Sequence, residues 1–94
     1  MKTTPSSSRR TREAQRLRWA AYVRPHWKRL ERNGTLSKRE ASVLSLRLGL
    51  ASDHALTQRQ IARRFGITEQ TAARLERDAR AKVIAALTVE GHKA

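Results

Sequence analysis

The chain has no cysteine. That excludes a disulfide frame, a thiolate nucleophile and Cys-ligated zinc. Its three histidines, His26, His54 and His92, are scattered and lack companion carboxylates at ligand spacing. Each reads as a surface or loop residue, and no metal site, cofactor or small-molecule substrate is expected. Aromatic residues number four, and hydrophobic residues make up 38% of the 94 positions, enough for one small core of a few short helices. No apolar run is long enough for a membrane span. Arg9-Arg10 is followed by Thr-Arg-Glu rather than an apolar stretch, so it does not form a twin-arginine export signal. With no nucleophile, ligand set or acid/base pair in view, an enzyme is not expected, and the expected location is cytoplasmic, in a bacterium or a phage-infected host.

Acidic residues are also scarce. Eight Asp and Glu stand against 21 Lys and Arg, leaving a net charge of +13. Solubility alone asks for roughly 2 to 8 charges in a small domain. An excess this large points to a polyanionic partner, because clustered cations gain by displacing counterions from phosphates. Membrane surfaces are polyanions too, but the long apolar face of a surface-lying helix is missing. The charge is uneven. Residues 1–33 hold ten Lys and Arg against two Glu, a balance of +8, and the remainder holds eleven against six, a balance of +5.

Residues 1–8, "MKTTPSSS", are small and polar and read as a disordered tail. Residues 9–33 read as a basic helical arm. A helix is expected from about Arg9 to Arg24, with Ala14, Leu17, Ala20, Ala21 and Val23 as a partial apolar stripe. Pro25 interrupts it, because proline disfavours a helical residue before it and has no amide hydrogen to give. A second short helix is expected over 26–32, closed by a left-handed turn at Asn33-Gly34. Trp19, Tyr22 and Trp27 lie in this arm. They suit stacking on nucleic-acid bases, but their plainer role is to pack the arm onto a small core.

Residues 34–90 read as an all-α domain whose helices are marked by their starts. "LSKRE" offers Ser37 as an N-cap with Glu40 three residues on, a capping box. Ala41, Leu44 and Leu48 then share a face that Val43 and Leu46 widen. "LTQRQI" repeats the device with Thr57 and Gln60, and Leu56 is placed to staple against Ile61. That helix is expected to end at Phe65, where Gly66 permits a tight turn. Thr68 caps a longer helix, expected to reach about Thr88, with apolar positions at Ala72, Leu75, Ala79, Val83 and Ala86. A short helix, a glycine turn and a longer helix make a helix-turn-helix, whose second helix enters the DNA groove.

"LSKREASVLSLRLGL" followed by "TQRQIARRFGITEQTAARLERDARAKV" resembles region 4 of a housekeeping-type bacterial sigma factor. Leu36, Arg39, Glu40, Val43, Leu44, Arg47 and Gly49 match the first part of that pattern. Thr57, Ile61, Phe65, Ile67, Thr68, Leu75 and Glu76 match the second. The intervening loop, "LASDHAL", has the family's length, so no gap is needed from Leu36 to Val83. LuxR-type regulators share a similar helix-turn-helix but fit the paired capping boxes and the Leu75-Glu76 step less well. The resemblance implies two roles at once, docking on the flap of the RNA polymerase β subunit and reading the promoter −35 element in double-stranded DNA. It implies phosphate contacts from Arg39, Thr57, Gln58 and Arg59, and a base-reading surface around Thr68, Glu69, Gln70, Ala73, Arg74 and Arg77. It also implies a flap-binding groove that includes Leu46, Leu50, Val83 and Leu87. An equally weighted account has those four residues packing on the arm through Leu17, Trp19 or Trp27.

Two departures qualify the resemblance. The family's recognition helix opens Thr-Arg-Glu-Arg-Ile-Arg-Gln, whereas here it opens Thr68-Glu69-Gln70-Thr71-Ala72-Ala73-Arg74. Two arginines have become Glu69 and Ala73, and a carboxylate accepts from cytosine but is repelled by phosphate. The sigma regions that open DNA have no counterpart, so this chain alone is not expected to start transcription. The expectation is a stand-alone sigma-region-4-like transcription factor with altered DNA specificity. The alternatives are a polymerase- or sigma-binding regulator that does not read DNA, and an independent helix-turn-helix repressor.

Overall fold

Ser37, Thr57 and Thr68 each start a helix in the computed structural model, which describes residues 5–50 and 54–91, and of residues 5–11 the backbone only. The order is α1 (Pro5–Val23), a 3-10 turn (Arg24–His26), α2 (Trp27–Arg32), α3 (Lys38–Leu48), α4 (Gln58–Phe65) and α5 (Glu69–Val89). The architecture is all-helical, with no strand among the described residues. No helix there is long and apolar enough to cross a membrane.

Both capping boxes are closed. The Glu40 amide donates to Ser37 Oγ at 3.1 Å while the Ser37 amide donates to Glu40 Oε1 at 3.0 Å. The Gln60 amide donates to Thr57 Oγ1 at 3.1 Å and the Thr57 amide to Gln60 Oε1 at 2.9 Å. Each pair satisfies two amides that a helix start leaves without partners. Thr68 caps α5 by accepting from the Thr71 amide at 3.0 Å. Between α4 and α5, Gly66 takes φ +66°, and the Ile67 amide reaches back to the Ala62 carbonyl at 2.9 Å. That geometry closes the α4 C-terminus and turns the chain sharply.

The arm departs from expectation at its start. The helix begins at Pro5, so residues 5–8 form its first turn rather than part of a disordered tail. Proline suits a first helical position, since the amide hydrogen it lacks would have no acceptor there. Residues 1–4 lie outside the described residues, as do loop residues 51–53 and His92. Pro25 breaks the helix as its chemistry requires, at a 3-10 turn.

Two apolar clusters share α3 as a common wall. On one side Leu44 and Leu48 meet Ala79, Val83 and Leu87 of α5, and the arm closes this cluster with Ala20, Val23, Trp27 and Leu30. On the other side Val43 meets Ile61, Ala62 and Ala72, with Leu46, Leu56, Phe65, Ile67 and Leu75 packed around them. Trp19 and Tyr22 pack at the edge of the first cluster, so the aromatic residues serve packing. The predicted arm stripe holds only in its last turns: Ala20 and Val23 are buried, whereas Ala14, Leu17 and Ala21 are exposed. The helix simply outruns the core. Among the described side chains it runs about 12 Å from Arg12, at 1.5 Å per residue, before the first buried one at Ala20.

Candidate nucleic-acid interface

The α4–turn–α5 unit is fixed from beneath. Ala72 is fully buried against Ile61 and Ala62, which orients the opening of α5, and the opposite side of that opening faces solvent. Glu69, Gln70, Arg74 and Arg77 are exposed there, and Ala73 is half-buried. Gln70 and Arg74 are four residues apart and so lie on one face, one turn above each other. The start of α4 adds Thr57 and Arg59, and its last turn adds Arg63 and Arg64, all exposed. Thr68 is exposed, but its hydroxyl is engaged with the Thr71 amide and hydroxyl.

Glu69 pairs with Arg59 across the motif, Nε to Oε2 at 3.4 Å. Both side chains are exposed, so the pair adds little to stability. Its effect is electrostatic. The carboxylate that departs from the family pattern is offset by a cation on the neighbouring helix, and it also lies in the first turn of α5, where the helix dipole favours negative charge.

Behind this surface sits a buried carboxylate. Glu76 accepts from Arg47 Nε at 3.2 Å and from Gln58 Nε2 at 2.9 Å through Oε1, and Arg80 pairs with Oε2 at 3.3 Å. Arg47 also donates to the Leu56 carbonyl at 3.4 Å. One carboxylate thereby ties α3, the entry to α4, and α5 together. A second, Glu40, binds Lys82 Nζ through both oxygens at 2.9 Å. Lys82's hydrogen bond, followed by the Ser37 amide, holds the Glu40 carboxyl below the usual carboxylate range.

Several expected positions move. The Gln58 amide is turned inward to Glu76 and is committed there rather than offered to phosphate. Arg39 is exposed but follows the start of α3, which sits beside Lys82, about 20 Å along α5 from Glu69. Val83 and Leu87 are fully buried beneath the arm, and Leu46 and Leu50 are half-buried against different clusters. These four do not form an open groove, because Val23, Trp27 and Leu30 already fill the α3–α5 face. Of the three arm residues expected to do so, Trp27 and Trp19 pack there and Leu17 does not, being 55% exposed.

Missed from the sequence were Arg63 and Arg64, which add charge to the same motif, and the organising role of Glu76. The Glu76–Arg80 spacing of four was a readable signal for that role. Arg47 and Gln58 come from distant positions and gave none. Among the described residues, no group of three or more His, Cys, Asp or Glu is placed to hold a metal ion.

The "Sigma-70, region 4" family profile matches residues 34–83. No curated protein and no solved structure matches the chain. The matched span covers α3, α4, the glycine turn and most of α5, and so takes in both capping boxes, Glu76 and the exposed face at Gln70 and Arg74. The chain belongs to the sigma-70 region 4 family, whose helix-turn-helix is a DNA-binding domain of transcription.

Proposed function

We propose that this protein is a sigma-region-4-like transcription factor that binds duplex DNA at an altered −35-like site and also engages RNA polymerase, in a bacterial or phage-infected cytoplasm. The observation that carries the reading is the face of α5 that bears Gln70, Arg74 and Arg77. Cap, turn glycine and buried Ala72 hold that face outward, with Thr57, Arg59, Arg63 and Arg64 of α4 beside it. In this reading α4 cations hold phosphates, and Gln70 and Arg74 read neighbouring base edges. Gln suits adenine and Arg suits guanine, by paired hydrogen bonds in the major groove. Neutralisation of Glu69 by Arg59 supports groove entry despite the carboxylate. Polymerase binding is supported by family membership, and Leu46 and Leu50 are the members of the expected flap set that solvent still reaches.

The test is selection of bound sequences from a random duplex pool, followed by the same selection with Arg74→Ala. The variant is expected to lose ~1–3 kcal/mol at the preferred site and to relax the preference at one position. If Arg74→Ala and Gln70→Ala select the wild-type sequences with wild-type affinity, the base-reading role is wrong. Capture of core polymerase by the wild-type chain, with and without the selected duplex, tests the second half of the proposal.

A further inference from the structure

A cleft of about 650 Å³ lies between α1 and the helix-turn-helix. Arg12, Arg16 and Trp19 line it from α1, and Arg47, Thr57 and Arg80 line it from the domain. Two carboxylates also border it, and both are already engaged. Glu13 pairs with Arg16, and Glu76 is held by Arg47, Gln58 and Arg80. The balance of these groups is therefore positive, four arginines against two glutamates. Arg80 carries a further sign of a missing acceptor. Its guanidinium lies over the Trp19 ring at 4.9 Å and pairs with Glu76, yet its Nε–H is buried with no acceptor among the described residues. A buried donor left unpaired is unfavourable.

We propose that this cleft seats the sugar-phosphate backbone of the duplex. Arg12 and Arg16 grip phosphates beside the groove that α5 enters, and the start of α4 at Thr57 meets the same strand. This rests on the reading of the protein as a duplex-DNA binder. Three observations select the duplex backbone as the occupant. The cleft is continuous with the interface, since Thr57 belongs to both. The first turn of α4 presents the positive end of its dipole there. And the Trp19 ring carries Arg80 on one face and has Tyr22 tilted against it, 6.4 Å between centroids, so it is not a free platform for an unpaired base. The part of α1 that outruns the core thus gains a role: it lengthens the contact along the DNA independently of sequence.

The experiment measures affinity of the full chain for a labelled duplex of arbitrary sequence across a salt series. R12Q/R16Q is expected to flatten the slope of log K against log salt by about 1.8, at about 0.9 per phosphate contact. R12K/R16K is expected to restore it. K28Q/R32Q removes the same charge from exposed positions on α2 and is expected to change the slope by less than one contact's worth. Hydroxyl-radical footprinting should show protection lost at one edge of the site in R12Q/R16Q alone. Equal effects of the two glutamine pairs would overturn the proposal, since charge rather than the cleft would then be acting. An effect of R12Q/R16Q confined to single-stranded DNA would overturn it as well. Absence of duplex binding by the wild-type chain would instead sink the DNA-binding reading on which it rests.

Discussion

Leu30→Ala tests whether the arm is part of the folded core. Leu30 is fully buried in the six-residue helix α2, in the cluster that includes Val83 and Leu87. Truncating a buried leucine costs about 2–5 kcal/mol, from lost transfer energy and the cavity left behind. A chain of 94 residues at about 0.05–0.15 kcal/mol per residue has only about 5–14 kcal/mol of stability in total. Loss of about 3 kcal/mol, with a urea m value of about 1.5 kcal/mol/M, lowers the midpoint by about 2 M. Two probes are read in the same titration. Both tryptophans, Trp19 and Trp27, lie in the arm, so fluorescence reports its docking, while far-UV circular dichroism reports all helices. If arm and domain are one core, both transitions shift together. If Leu30→Ala shifts the fluorescence transition and leaves the main helical transition where it was, the arm is a loosely docked appendage. The burial of Val83 and Leu87 would then be conditional, and their surface would be open to a partner.

Three further outcomes are expected. The Glu40 carboxyl, depressed chiefly by Lys82, contributes stability that is present above its unfolded pKa and is lost as pH falls through its folded value. Urea melts at descending pH should therefore converge for wild type and Glu40→Gln in acid and separate toward neutrality, and parallel curves would refute this role. Gly66→Ala meets open space, so its cost comes from the +66° backbone angle alone, about 1–2 kcal/mol. A melting temperature unchanged by that substitution would mean the turn is not left-handed in solution. Glu69→Gln should free Arg59, leave stability within about 1 kcal/mol, and steepen the salt dependence of duplex binding by up to about 0.9. A shallower slope would show that the carboxylate itself contacts the DNA.

Helix starts were legible because capping is local. Ser37 with Glu40 and Thr57 with Gln60 act over three residues, and Gly66 acts at one. Periodicity likewise revealed the apolar faces of α3 and α5. What it could not reveal was which surface covers them. Val23, Trp27 and Leu30 meet Val83 and Leu87 across more than fifty residues of chain, and a stripe does not name its partner. Leu17 illustrates the opposite error: it sits on the stripe yet lies beyond the core's edge. In the site, exposed Gln70 and Arg74 followed from helical spacing. The inward turn of Gln58 did not, because it depends on Glu76, eighteen residues away and on another helix.

The arm's closure of the first cluster separates two boundaries that are easily taken as one. Family resemblance runs from residue 34 to 83. The continuous hydrophobic cluster begins at Ala20 and ends at Leu87. A fragment cut to the limits of resemblance would keep both capping boxes and the recognition helix, yet leave Leu44, Leu48 and Val83 uncovered in water. Such a face favours self-association. A minimal DNA-binding fragment should accordingly start before Ala20 and retain Leu87, so that what is shared by descent travels with the private segment that lets it fold.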